Sequence, residues 1–73
     1  MTIEELRERL INGEEFVFDF ENDEYWISQN VEGIFLTRVE GSVTQEFKSV
    51  DELFENGTIN SRPFKEAFTT FYF

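Results

Sequence analysis

Carboxylates are the commonest chemistry-bearing groups in this chain, and Asp19-Phe20-Glu21-Asn22-Asp23 spaces three of them as a calcium loop spaces its first ligands. An EF-hand loop also needs glycine at its sixth position and a bidentate acid at its twelfth. Those places hold Glu24 and Asn30. A strand with polar residues at alternate positions produces the same spacing without a metal. Paired carboxylates also serve glycoside chemistry, but that requires a cleft several ångströms across, which a core filled by phenylalanine in so short a chain does not leave. Nucleophilic catalysis needs an activated Ser, Cys or Lys beside a base. The chain has no His and no Cys, and Ser28, Ser42, Ser49 and Ser61 fall in turn, cap or strand contexts. Its four glycines follow helices or turns rather than building a phosphate loop. The expectation is a protein that is not an enzyme and uses no cofactor and no metal.

What the acids do offer is a surface. Residues 14–46 hold nine acids against Arg38 alone, a net −8 of the whole chain's −10. The flanking segments are closer to balance, with Arg7 and Arg9 before and Lys48, Arg62 and Lys65 after. Direct nucleic-acid binding is disfavoured, because phosphate contacts need a surplus of Lys and Arg. A basic protein partner is favoured, since complementary charge speeds encounter and discourages wrong partners. The expected contact residues are Glu15, Asp19, Glu21, Asp23, Glu24, Trp26, Glu32 and Glu40.

Positioning those residues is the task of the local elements. Thr2 and Glu5 have capping-box spacing, and Ile3, Leu6, Leu10 and Ile11 recur at helical intervals. Asn12-Gly13 supplies the stop, so a helix is predicted over roughly 3–12. From Glu14 the period becomes two. Phe16, Phe18 and Phe20 alternate with Val17, Asp19 and Glu21, and Tyr25-Trp26-Ile27 returns after an Asn22-Asp23 turn. A two-residue turn there pairs Phe20 with Tyr25 and Phe18 with Ile27, turning the rings to one face. The acids and Trp26 then share the other face or the turns. Glu32-Gly33 and Glu40-Gly41 mark two more turns, with strands from Ile34 to Val39 and Val43 to Phe47. A two-residue loop at Glu32-Gly33 sets Leu36 over the core; a three-residue loop sets Phe35 there.

Ser49-Val50-Asp51-Glu52 is a second capping box, ahead of Leu53 and Phe54, and Asn56-Gly57 closes that short helix. Pro63 opens a last helix with Phe64, Ala67, Phe68 and Phe71 on one side. It is predicted to run to about Thr70, while the β-prone tail at 69–73 also permits a strand. Residues 1–73 therefore read as a single α+β domain. It comprises an N-terminal helix, a four-stranded antiparallel β-meander and two short C-terminal helices packed on one sheet face.

With 73 residues and no cysteine, the fold has no disulfide, and ten Phe, two Tyr and one Trp supply its core. No apolar run reaches a membrane-spanning length and the first residues lack a signal-peptide pattern. A cytoplasmic protein is expected. Two functions follow. One is a small acidic inhibitor of a basic, nucleic-acid-binding surface, such as that of a nuclease or other DNA-binding protein, with carboxylates standing where phosphates would. Small acidic phage proteins that block restriction or CRISPR nucleases work this way as a class, and the likeness is one of size and charge. The other is an assembly module acting as a homodimer through surplus apolar residues: Val17, Trp26, Phe35, Val39, Phe71, Tyr72 and Phe73.

Overall fold

Thr2 accepts a hydrogen bond from the Glu5 amide at 3.1 Å and so starts helix α1, Ile3–Ile11. Asn12 caps it, and Gly13 follows at φ +91°, a left-handed conformation that glycine adopts without steric penalty. Leu6 and Leu10, one helical turn apart, are fully buried. These elements belong to a computed structural model that describes residues 1–73.

Four strands follow: β1 Phe16–Phe20, β2 Asp23–Asn30, β3 Gly33–Arg38 and β4 Val43–Phe47. They form an antiparallel meander in the order β1-β2-β3-β4. Helix α2, Val50–Asn56, is capped by the Ser49 hydroxyl on the Glu52 amide at 3.1 Å. It contacts β3 and β4. A short hairpin of β5, Thr58–Ile59, and β6, Arg62–Pro63, leads into helix α3, Phe64–Ala67, and a 3-10 turn, Phe68–Thr70. The N-terminal helix, the antiparallel sheet and the two short C-terminal helices are those expected. The β5–β6 hairpin is not, and it forms because Asn60 and Ser61 both take positive φ, 54° and 66°. Two such residues in succession build the turn whose twist matches a hairpin.

The first hairpin keeps the expected facing but not the expected register. Its turn is Glu21-Asn22, at φ 50° and 68°, not Asn22-Asp23. Phe20 therefore pairs with Asp23, Phe18 with Tyr25 and Phe16 with Ile27. Side chains alternate with period two, so moving each partner by two positions leaves every ring on the same face. Phe18, Phe20, Tyr25 and Ile27 are all buried. The β2–β3 loop, Val31-Glu32, has two residues, and this sets Leu36 in the core while Phe35 faces outward, half-buried.

Fifteen apolar residues from every layer make the core, and it contains no buried polar side chain. Phe71 packs against it from the tail, its ring stacked on Phe18 with centroids 4.3 Å apart. Beyond Phe71 the chain is extended. Tyr72 bonds to Asp19 in both directions, N to O at 2.9 Å and O to N at 2.8 Å, and so covers the outer edge of β1. Helix to Thr70 and a strand-like tail thus both occur, in succession. No helix is long and apolar enough to cross a membrane.

Candidate partner-binding face

The helices cover one side of the sheet and leave the other uncovered. The register sorts its outward residues into rows. Val17, Trp26, Thr37 and Thr44 are successive cross-strand neighbours in the middle row. Asp19 and Glu24 face each other in the row on one side of it, and Ser28, Phe35 and Glu46 occupy the row on the other. Arg38, the one basic residue in the sheet, pairs with Tyr25 and lies on the inner side. The outward face therefore carries carboxylates and no cation.

Trp26 stands at its centre, 46% exposed, beside Val17 at 58%. Its indole nitrogen donates to Glu24 Oε2 at 2.7 Å, which holds both side chains in place. Asp19 turns its own amide and carbonyl toward Tyr72 rather than toward β2. The Asp19–Glu24 pair is consequently of the non-hydrogen-bonded kind, in which opposed Cα atoms lie about 4.5 Å apart and side chains are closest. Like charges directly opposite each other are destabilising, and no Lys or Arg relieves this pair.

The other expected contact residues are dispersed. Asp23 lies on the inner side, at the end of the row begun by Phe20, with its carboxylate 3.0 Å from Arg38. Glu40 approaches the same guanidinium at 3.9 Å. Glu21, in the turn, accepts from Asn60 Nδ2 at 2.6 Å and sits 3.7 Å from Arg62. These three acids form a partly neutralised cluster at one end of the sheet. Glu32 occupies the β2–β3 turn at the opposite end, eight strand residues away, or roughly 27 Å of extended chain. Glu15, just before β1, accepts the Gln29 amide at 3.0 Å. The structure thus brings Asp19, Glu24 and Trp26 together, sets Glu15 on the other flank of Trp26, where both line one shallow pocket with Val17 and Ser28, and separates the rest. Glu46, absent from the expected set, belongs on the face, and the alternation of Thr44 and Glu46 with Gln45 and Phe47 is the signal that marks it.

Of the expected apolar surplus, Val17, Trp26, Val39, Tyr72 and Phe73 are exposed, whereas Phe71 is partly buried and packs against the core. Tyr25 has a phenol raised above its ordinary range, first by burial, with Asp23 and Glu21 adding to the effect and Arg38 opposing it. Glu14 is lowered, chiefly by its hydrogen bonds from Arg9. Neither group lies on the outward face. No group of three or more acidic side chains is arranged to hold a metal ion. Comparison with protein-family models, curated proteins and solved structures finds no match to this chain.

Proposed function

We propose that the protein is a non-enzymatic binding protein whose outward sheet face engages a basic surface of another protein. One observation carries this reading: Asp19, Glu24 and Glu46 share a face with a half-exposed tryptophan and with no basic side chain. Such a face steers a cationic partner from a distance, and its aromatic centre supplies the short-range contact once water is displaced. The asymmetry between faces supports it too, because all four arginines are ion-paired elsewhere on the molecule.

A basic surface of this kind is found where proteins grip nucleic acid, so inhibition of a nuclease or other DNA-binding protein is the sharpest form of the proposal. The test is displacement. Labelled duplex DNA bound to such a protein is titrated with this chain at low and at moderate salt, and anisotropy is followed. Release of the duplex at low salt, weakening steeply as salt rises, is the expected result. A panel of such DNA-binding proteins from which no duplex is released, and to which the chain does not bind, overturns it.

Self-association is the second reading, favoured by the exposure of Tyr72 at 78% and Phe73 at 50%. Salt separates the two, since screening strengthens contact between like-charged copies and weakens contact with a basic partner. A monomer by light scattering at high micromolar concentration and high salt removes it.

A further inference from the structure

Within the molecule, one arginine already shows how a guanidinium is held by this mixture of groups. Arg9 places its guanidinium carbon 5.0 Å from the centre of the Phe16 ring, while Nε and Nη2 donate to one Glu14 oxygen at 3.0 and 2.8 Å. The guanidinium thus sits over the ring while its N–H groups bond the carboxylate, and a flat, delocalised, weakly hydrated group is suited to meeting both partners at once. The outward side of the sheet presents the same two partners. Trp26 is bound to Glu24 through the edge of its indole and remains 46% exposed, and Asp19 stands directly opposite Glu24. No aromatic ring or cation of the chain stacks on Trp26.

We infer that this face reads arginine rather than positive charge in general: a partner's guanidinium lies on the Trp26 indole and donates to the carboxylates of Glu24 and Asp19. The inference rests on the function proposed above and names the group that the face recognises. Lysine does not meet the same requirements, because its ammonium is a compact, strongly hydrated charge with no planar face to stack. Tryptophan is the best of the aromatic rings for such a contact. A second copy of this chain cannot supply the arginine without breaking a pair, since Arg7, Arg9, Arg38 and Arg62 are bound to Asp51, Glu14, Asp23 and Glu21 respectively. Two outward faces brought together would also oppose Asp19, Glu24 and Glu46 to their own kind. The arginine therefore belongs to a different protein.

The experiment titrates the full chain with hexa-arginine and with hexa-lysine at one fixed ionic strength, by calorimetry and by fluorescence. Trp26 is the chain's one tryptophan, so its emission reports on this site alone. Hexa-arginine is expected to bind about five- to tenfold more tightly than hexa-lysine and to change the Trp26 emission, the margin that cation–π contact contributes. Trp26→Leu should weaken hexa-arginine more than hexa-lysine, so that the difference between the two peptides disappears, while Trp26→Phe should keep part of the preference. Equal affinities in the parent chain, or a preference that survives Trp26→Leu, overturns the inference and leaves the function proposed above standing. Binding of neither peptide at low salt overturns both.

Discussion

Phe71 stacks on Phe18 with ring centroids 4.3 Å apart, so the segment that follows the last helix packs onto the core begun by the first strand. The same ring meets Phe20 and Phe64 edge-on at 5.5 and 5.4 Å. Phe71→Ala should therefore cost roughly 3 kcal/mol, near the lower end for a phenylalanine removed from a core, because the site is only partly enclosed. Tyr72→Ala should cost within about 0.5 kcal/mol, since its side chain is in solvent and its backbone makes the bridge to Asp19. Urea denaturation of the two variants measures both. Equal losses would mean that the tail is held by its backbone and not by the Phe71 ring.

Gly57 looks interchangeable with alanine by its backbone, at φ −65° and ψ 142°, yet a Cβ there would collide with the Leu53 carbonyl and lie 3.0 Å from Leu53 Cδ1. Gly13 is the reverse case, with φ +91° and open space around it. Gly57→Ala is expected to destabilise by about 1–3 kcal/mol through overpacking. Gly13→Ala should cost roughly 1 kcal/mol through its left-handed conformation alone. Chemical denaturation gives both values, and a neutral Gly57→Ala would show that α2 can shift away from the turn that follows it.

The raised phenol of Tyr25 makes an alkaline prediction. Burial favours the neutral form, so the folded value lies above the unfolded one, which is about 10. A group with that sign contributes its stability fully below the unfolded value and loses it as pH rises through the folded one. Thermal midpoints should fall above about pH 10, and Tyr25→Phe should flatten that fall. A decline of the same steepness in the variant would assign it to other groups.

Asp19 and Glu24 are directly opposed with no cation between them. Asp19→Asn should raise stability by about 0.2–1 kcal/mol at low salt, and the gain should vanish as salt screens the pair. The same change should weaken association with a basic partner. Stability up and binding down in one variant is the outcome that marks a face kept for recognition; a loss of stability would show that Asp19 is structural.

Much of the fold was legible because it is written in short-range contacts. Caps act over three residues, and Thr2 and Ser49 bond the amides of Glu5 and Glu52 as their spacing indicates. Alternation sorted Phe18, Phe20, Tyr25 and Ile27 inward even though the turn lies one residue earlier than its Asn-Asp signal suggests. A pattern of period two does not distinguish registers that differ by two, so facing was readable where pairing was not. The Asn60-Ser61 hairpin was hidden for a related reason: Pro63 signals the start of a helix equally well with or without a turn before it.

The amino-acid sequence alone determined the helices, the meander, the inward rings and the concentration of negative charge on the sheet. Tertiary structure decided which of those charges stand free. Asp23, Glu21 and Glu40 meet Arg38 and Arg62 across strands and hairpins, while Asp19, Glu24 and Glu46 meet no cation. Whether a carboxylate is paired depends on what the folded chain sets within about 4 Å of it, and separation along the chain does not encode that distance.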